Sequence, residues 1–403
     1  MIRMMLNTMR RKRMALWMSA LVVMITGCER NPDLHLWDWE TPELEIPMVE
    51  LELDVYWDYQ TQLGINYDWR AEWYYGWDEE DQRIFGELGY TEPTKFNLRR
   101  YYTVETPYAP HDRVLAAQID GRIFRAPFEW GYWDILAWND VHTLDGVQSL
   151  IFDEQTSLDY VTAYTNPSMN MSRYHAPRYN NSFYEPEPLF AAYEQAFEIN
   201  RNLEGFVWDE ERNMWVRKLH MTLEPITYIY LPQVIIHHNN GRISAVTGTS
   251  NLSGMARSTI LNTGIAGNDA IAVYFNMRMK KNMLMESERV DIVGGRLMTF
   301  GICGHNVNRV SRGQELKDVN RHYLDVTMQF NNGMDSTFVF DVTDQVRKRY
   351  KGGVITVELD MDTIPTPNRT GGTGFNAVVK ETEDGGTYEF DLTPDNGHRR
   401  LDE

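Results

Sequence analysis

The 403-residue sequence predicts an all-β protein with two consecutive β-sandwich domains. Three observations predict this class: several segments alternate apolar and polar residues with a period of two, turn signals recur about every ten residues, and few segments have helical periodicity. The length is sufficient for two domains of ordinary size, each with its own core. Because the sequence has no fixed-period repeat, a propeller or a solenoid is disfavoured.

The first strand is predicted in VELELDVYWD, which begins at Val49. Strict alternation of apolar with mostly acidic residues indicates a sheet with one buried face and one solvated face. The residues predicted to share the buried face are Val49, Leu51, Leu53, Val55 and Trp57, and those predicted on the solvated face are Glu50, Glu52, Asp54, Tyr56 and Asp58.

Three further segments define the rest of the first domain. In RVLAAQIDGRIFRAP the pair Asp120-Gly121 separates two strand-like runs and predicts a hairpin. GYWDILAWND predicts a strand over about 132–138, and LFAAYEQAFEI is interpreted as a short helix. The boundary is placed near residue 205, so the N-terminal sandwich spans 47–205 and the C-terminal sandwich spans 206–403.

The second domain contains a series of strand signals, in ITYIYLPQVIIHH, GRISAVTG, AIAVYFNMRM and GGRLMTFGI. The clearest segment is YLDVTMQFNNGMDSTFVFDV, where an alternating run reaches the turn Asn331-Asn332-Gly333 and predicts a hairpin. One helical turn is predicted over about 343–350, ended by Gly352-Gly353, since glycine permits the left-handed conformation of a helix stop. VITVELD predicts a final strand.

The N-terminus has the parts of a secretory signal peptide. The basic run Arg10 to Arg13 precedes a mostly apolar segment, 15–26, which is shorter than the ~20 residues of a membrane-spanning helix. Ile25, Thr26 and Gly27 then lead into a cysteine, and this ending resembles the lipobox of bacterial lipoproteins. A plain cysteine at the end of a core helix is the alternative interpretation.

The lipobox resemblance implies cleavage between Gly27 and Cys28 and attachment of a diacylglyceryl group to the Cys28 thiol. Residues 1–27 are then a lipoprotein signal peptide, and 28–46, with several acids and two prolines, form a lipidated tether. Two or more acyl chains hold a protein firmly on a membrane, whereas a single chain does so only marginally. No spanning protein segment is needed for such attachment.

Charge and cysteine content restrict the partners and the means of stabilisation. Removal of residues 1–27 takes five basic residues and no acid from a chain of net charge −19, which leaves −24. Nucleic acid is therefore excluded as a partner, because binding it needs clustered Lys and Arg. Once Cys28 is lipidated, Cys303 is the only remaining thiol, so no intramolecular disulfide forms and the core must supply the stability.

Two groups of residues have the chemistry of metal ligands. His237 and His238 are adjacent, and adjacent strand residues face opposite sides of a sheet, so they are interpreted as polar residues entering a turn. In ELDMDT the alternation places Asp360 and Asp362 on one strand face, but calcium takes six or more oxygens, and no loop of that density surrounds them. We expect no metal and no cofactor.

No catalytic motif is complete. Carboxylate pairs suited to a glycosidase arise by chance among 58 acids. Ser253 lacks the flanking glycines of a nucleophile elbow, and Cys303 has His305 nearby but no evident third partner. Cys303 is interpreted as a core residue. The sequence predicts that the protein is not an enzyme.

Tryptophans are concentrated in the first part of the chain. Nine of the eleven that follow the signal peptide lie between Trp37 and Trp138, and DWRAEWYYGWDEED contains Trp69, Trp73 and Trp77. Exposed rings would stack on sugars, which gives a glycan-binding N-terminal domain as the alternative function. The other interpretation is a bulky aromatic core, since large rings dominate burial.

Four segments resemble fimbrillin-like surface lipoproteins of Bacteroides-type bacteria: the lipobox, GYWDILAWND, GRISAVTGTSNLSGMARSTILNTG and FVFDVTDQVRKRYKGGVITVELDMDTI. The resemblance implies two transthyretin-like sandwiches and a non-enzymatic lipoprotein exposed on the cell outer membrane. It implies a role as anchor or minor subunit of a type V pilus-like fimbria, with fimbrial or other surface proteins as partners through strand pairing.

The sequence departs from the polymerising members of that family, which are cut after a basic residue of the first domain. Arg30 lies too close to the lipid, and the first strand contains no basic residue. Nothing marks Arg70, Arg99 or Arg100 as the cleavage site. These departures favour a retained anchor over a shaft subunit, and the sequence does not identify an open sheet edge.

Overall fold

The computed structural model describes residues 47–55, 63–141, 149–154, 161–166, 182–247, 250–304, 320–367, 375–380 and 393–394. Every structural statement below concerns these residues. The predicted signal peptide and tether, including Gly27 and Cys28, lie outside them, as do Trp57 and His305.

The chain is built mainly of β-strands. Those up to residue 225 are β1 Met48–Val55, β2 Lys95–Thr103, β3 Arg113–Asp120, β4 Ile123–Pro127, β5 Gly131–Asn139, β6 Leu150–Asp153, β7 Thr162–Thr165, β8 Ser182–Tyr184, β9 Phe190–Ile199, β10 Val207–Asp209 and β11 Met214–Pro225. The predicted all-β class is confirmed.

The remaining strands are β12 Tyr228–His237, β13 Ile243–Val246, β14 Ser250–Ala256, β15 Ser258–Ile260, β16 Ile265–Ala266, β17 Ala270–Phe275, β18 Met277–Met285, β19 Glu288–Gly295, β20 Leu297–Thr299, β21 Tyr323–Phe330, β22 Asp335–Asp341, β23 Gly353–Asp360, β24 Phe375–Lys380 and β25 Thr393–Pro394. Two short α-helices, α1 Glu79–Phe85 and α2 Thr343–Lys348, and 3-10 turns at Trp69–Ala71 and Met361–Thr363 complete the elements. Within the described ranges, no helix has the length and apolarity required to cross a membrane.

The first sheet has the strand order β3-β2-β5-β9-β11-β1-β4, with β10 added on β11. β11 connects its two parts, because Val216 to Leu223 pair in parallel with β1 while Glu224 and Pro225 pair with β9. The boundary near residue 205 stays a prediction of the sequence. By its pairing, β11 belongs to the first sheet.

Two further sheets, formed by the second half of the chain together with β8, enclose a core. One has the order β18-β19-β12-β20 with β23 on β12, and the other has the order β25-β24-β22-β21-β14-β17-β8 with β13 on β21. The predicted hairpin at 331–333 is confirmed by the pairing of β21 with β22, and the predicted helical turn is confirmed as α2.

β12 separates two apolar cores. Ile229, Leu231 and Ile235 pack into a first cluster with the N-terminal sheet, whereas Tyr230, Val234 and Ile236 pack into a second cluster between the two C-terminal sheets. Alternate residues of a strand face opposite sides, so a strand that is apolar at nearly every position is buried on both faces. A small fourth sheet, β16-β15-β7-β6, joins the two halves through the pairing of β15 with β7.

Two sequence predictions of local structure are wrong. Asp120-Gly121 does not close a hairpin, because β3 pairs with β2 and β4 pairs with β1. Gly121 has φ +91 and turns the chain from one end of the sheet to the other. The predicted helix in LFAAYEQAFEI is β9, which pairs with β5 over most of its length, since long-range pairing overrides the helical propensity of Ala, Glu and Gln.

Candidate functional site

The outer edge of β3 is the strongest candidate for a partner-binding surface. β3 pairs only with β2 among the described strands, over eight residues and without a register shift. Its inner six residues, VLAAQI from Val114 to Ile119, carry no charge and no proline. Val114, Ala116 and Gln118 are exposed on one face, and Leu115 packs against the first cluster on the other.

The edge strand β18, by contrast, carries features that discourage pairing. A bulge interrupts its register between Lys280 and Met283, and Lys280 and Lys281 lie at its centre. Lysines and bulges are the devices by which natural edge strands avoid pairing with other chains. β4, at the other end of the first sheet, has five residues and ends at Pro127. β3 has none of these protections.

β1 lies inside the sheet between β11 and β4. It pairs with β11 over all eight residues and with β4 from Met48 to Glu52, so it has a neighbouring strand on each side. Arg99 and Arg100 lie within β2, which is paired on both sides, and Arg100 is 8% exposed. Arg70 is exposed in a 3-10 turn.

The tryptophan-rich segment packs between the two halves of the molecule. Trp69, Trp73 and Tyr75 are 4%, 6% and 1% exposed and belong to the first cluster. Tyr75 N–H donates to Gln233 Oε1 on β12 at 3.1 Å, and a Cβ at Gly294 would lie 2.3 Å from Tyr75 Cγ. These buried rings cannot serve as an exposed platform for sugars. They form an aromatic core, as the other interpretation of the sequence holds.

A charged network holds α1 to β18 at the end of this segment. Asp81 is fully buried and contacts Arg278 Nη1 at 2.7 Å, Lys280 Nζ at 2.6 Å and the Tyr75 hydroxyl at 2.6 Å. Burial opposes ionisation of Asp78, but the hydrogen bond from Asp81 N–H and the contacts with Lys280 and Arg278 lower its pKa strongly. Burial and the nearby Asp81 raise the pKa of Tyr75. The sequence did not predict this network, because Asp78 and Arg278 are 200 residues apart.

The solvated face predicted for β1 is covered at Glu50. The Glu50 side chain is 7% exposed, lies 2.7 Å from Arg125 Nε and is approached by Arg212 and Lys218 at 3.8 and 3.7 Å. The hydrogen bond from Arg125 is the main cause of a lowered Glu50 pKa. Together with Trp208, which is 37% exposed, these residues line a cleft of about 630 Å³.

Ser253 and Cys303, which the sequence analysis considered as possible nucleophiles, make contacts typical of structural residues. Ser253 is 1% exposed and its hydroxyl donates to the Tyr323 carbonyl at 3.4 Å. Cys303 is partly buried against a third apolar cluster that includes Phe300 and Leu261. Its thiol lies 3.9 Å from the Gly254 carbonyl oxygen.

His237 and His238 do not face opposite sides as the strand pattern predicts. β12 ends at His237, and His238 has φ +52, so the two ring centroids lie 6.4 Å apart and both rings approach Glu288. Asp360 ends β23, and Asp362 lies in the following 3-10 turn, not on the same strand face.

Comparison with solved structures finds candidate adhesins and a fimbrial anchor protein from Bacteroides and Porphyromonas species. A candidate adhesin from Bacteroides ovatus is 14% identical over 80% of this chain and 94% of its own, with a TM-score of 0.47. A candidate adhesin from Bacteroides thetaiotaomicron is 8% identical over 86% and 94%, with a TM-score of 0.41. The fimbrial anchor protein Mfa2 from Porphyromonas gingivalis is 10% identical over 85% and 95%, with a TM-score of 0.36.

No family model and no curated protein sequence matches the chain.

Proposed function

We propose that this protein is a non-enzymatic lipoprotein of the outer-membrane surface that anchors a fimbria, or joins it as a minor subunit, by strand pairing. The lipobox ending at Cys28 and the acidic tether 28–46 support membrane attachment. β1 begins at Met48, only twenty residues after Cys28, so the tether leads directly into an inner strand of the sheet.

The observation that carries the proposal is the unprotected edge of β3. Alternate residues of an antiparallel edge strand direct their N–H and C=O groups away from the sheet. A partner strand satisfies these groups, and alternate side chains supply specificity. Between Val114 and Gln118 the exposed side chains are uncharged, so an extended segment of a fimbrial subunit that pairs there does not desolvate a charge.

The position of β1 supports a retained anchor over a shaft subunit. Removing β1 by proteolysis would leave the inner edges of β11 and β4 unpaired, and each unpaired buried backbone group is costly. Cleavage at Arg99 or Arg100 would require β2 to leave both of its neighbours.

The proposed lipid attachment at Cys28 is tested by labelling growing cells with palmitate. We expect the wild-type chain to incorporate the label and to fractionate with the outer membrane, because Cys28 is the predicted acyl acceptor. The Cys28→Ala variant should do neither. A Cys28→Ala chain that remains processed and membrane-bound would contradict the lipid anchor.

The proposed strand pairing is tested by introducing charged residues on β3. Ala116→Lys/Gln118→Lys places two cations on the exposed face of β3, and Thr91→Lys/Thr94→Lys adds the same charge to an exposed loop as a control. We expect fimbrial subunits to co-isolate with the wild-type and control chains and to be lost with the β3 variant at unchanged melting temperature. Equal recovery with all three chains would contradict pairing at β3.

Glycan binding is a second candidate, and the cleft beside Trp208 favours it. The half-exposed Trp208 ring contacts Trp215 edge-on at 5.4 Å between centroids, next to Arg212 and Glu50. A ring beside a few polar groups is typical of small-ligand sites. A fluorescence titration with polysaccharides should shift in the wild type and in a Tyr108→Ala control, but not in Trp208→Ala. No shift across a broad panel would exclude this function.

A further inference from the structure

Three strands of one sheet bring histidines and carboxylates together at a single edge. In the parallel pairing of β12 with β23, His237 lies opposite Asp360, so both strands end at the same place. The antiparallel β19 begins beside them at Glu288. No motif in the sequence joins these residues, which are more than 100 positions apart at their extremes.

The contacts at this edge converge on His238. Its Nδ1 lies 2.9 Å from Asp360 Oδ1 and 3.7 Å from Asp362 Oδ2, and its Nε2 lies 3.9 Å from Glu288 Oε1. One ligand atom from each of His238, Asp360 and Asp362 lies within 4.8 Å of the other two. In the part of the chain that the structure describes, no other group of three His, Cys, Asp or Glu residues has this geometry.

The left-handed conformation of His238 creates this convergence. With φ +52 its side chain leaves the alternation of β12 and turns toward the 3-10 turn Met361–Thr363. Asp360 Oδ1 accepts the Asp362 N–H at 3.0 Å, which holds the two aspartates together at the start of that turn.

The charge at this edge is not balanced by basic side chains. Glu288, Glu358, Asp360 and Asp362 form ion pairs only with His237 and His238 among the described residues. The guanidinium of Arg242 donates to the carbonyls of Met361 and Ile364. His237 Nε2 is inaccessible to solvent, has no hydrogen-bond partner and lies 3.8 Å from Glu358 Oε2.

We propose that His238, through Nδ1, together with Asp360 and Asp362 binds a divalent transition-metal ion, with Zn²⁺ the best match. Zinc binds imidazole nitrogen and carboxylate oxygen at about 2.0–2.2 Å, which places neighbouring ligand atoms of a tetrahedral site roughly 3.3 Å apart. The distances of 2.9 and 3.7 Å from His238 Nδ1 to Asp360 Oδ1 and Asp362 Oδ2 bracket this value.

The ligand set selects against calcium. Calcium takes six to eight oxygens, whereas this group offers one nitrogen and two carboxylates, a combination that suits zinc and its neighbours. Glu288 approaches the other ring nitrogen of His238, Nε2, at 3.9 Å, so it lies outside the group around Nδ1. The ion joins the end of β12 to the end of β23.

The inference goes beyond the proposed fimbrial function and does not depend on it. The test is a calorimetric titration of the full chain, freed of metal by chelation, with ZnCl₂ and separately with CaCl₂. We expect one Zn²⁺ per chain, a rise in melting temperature with Zn²⁺, and much weaker binding of Ca²⁺. Absence of Zn²⁺ binding, or equal affinity for Ca²⁺, would overturn the proposal.

Two variants separate this site from adventitious binding. Asp362→Asn changes an exposed ligand with little effect on the fold, and His238→Asn keeps a residue that tolerates positive φ. Each should weaken Zn²⁺ binding roughly tenfold or more. The control His111→Gln removes a histidine that contacts a single carboxylate, Asp134, at 2.8 Å, and should bind Zn²⁺ as the wild type does. Unchanged affinity in both site variants would refute the assignment.

Discussion

At the scale of single residues, Asp81 is a buried charge with several partners. It is fully buried, accepts the Tyr75 hydroxyl hydrogen bond and contacts both Arg278 and Lys280. Breaking a buried ion pair from one side leaves an uncompensated charge and costs about 3–5 kcal/mol. We therefore expect Asp81→Asn to lower the free energy of unfolding by roughly that amount, as measured by urea denaturation.

Glu80 provides the matched control. It contacts the same Arg278 at 2.7 Å, but its side chain is 52% exposed. Exposed ion pairs contribute about 0–1 kcal/mol, so Glu80→Gln should change the stability little. Similar losses for the two variants would show that burial of Asp81 does not set its contribution.

Glu50 should make stability depend on acid pH. The Arg125 hydrogen bond lowers its folded pKa below the ordinary value of 4.5, so its contribution is present above the unfolded pKa and is lost as the pH falls through the folded pKa. A hydrogen bond to a charged group contributes about 1.5–3 kcal/mol. Glu50→Gln should therefore lose stability at pH 7 and show a smaller further loss below about pH 4 than the wild type does.

Urea midpoints at neutral and acid pH measure this difference. Glu129→Gln is the control, since Glu129 pairs with Arg113 while 46% exposed. Its acid dependence should match that of the wild type. Parallel curves for Glu50→Gln and the wild type would contradict the role of Glu50.

Residue types alone could not predict the surroundings of the tryptophan-rich segment or of His238. The sequence shows aromatic density around Trp73, but whether those rings face solvent depends on Gly294, which leaves room for Tyr75 more than 200 positions away. His238 meets Asp360 because one residue leaves the strand conformation, and the alternation pattern contains no signal for that departure.

At the scale of elements, β9 contains a strained position that can be tested. Ala196 has φ +55 within the strand, opposite a register shift between Trp133 and Ile135, and its N–H donates to Asp134 Oδ1 at 2.7 Å. The left-handed conformation costs a residue with a Cβ about 1–2 kcal/mol, and glycine avoids that cost at an entropic loss of about 0.4–1 kcal/mol. We expect Ala196→Gly to stabilise the protein by up to about 1 kcal/mol.

Ala192→Gly is the control in the same strand. Ala192 is extended and pairs with Ala137, so glycine there brings the entropic loss without relief of strain. Chemical denaturation should separate the two variants in opposite directions. Destabilisation of both would show that Ala196 is not strained.

Elements with strong local signals were predictable, and those set by distant pairing were not. β21, β22 and α2 follow from alternation and turn residues that lie within one segment of the chain. The sequence of β9 predicts a helix because Ala, Glu and Gln favour one, yet β5 supplies a partner strand over most of its length. Asp120-Gly121 does form a turn, but the strands on either side of it, β3 and β4, pair with β2 and β1 and not with each other.

At the scale of the whole molecule, the two halves of the chain contribute to one apolar core. The first cluster combines Trp133 and Phe190 of the N-terminal sheet with Ile292 of the C-terminal half. The segment carrying Trp73 packs into this cluster, and Arg349 pairs with Glu72 across the same junction. The apolar patterns could not reveal that β12 contributes to two cores.

This shared core predicts one unfolding transition for the full chain. Because the first cluster contains residues of both halves, neither half can lose its packing without exposing the other, so calorimetric and van't Hoff enthalpies should agree. The fragment 47–205 lacks β11, which joins β1 to β9, and should therefore be unfolded by circular dichroism. The fragment 47–225, which regains β11 but lacks β12, should recover some structure at lower stability. Two separate transitions in the full chain, or a folded 47–205 fragment, would show that the halves are independent domains and that β11 is dispensable to the first sheet.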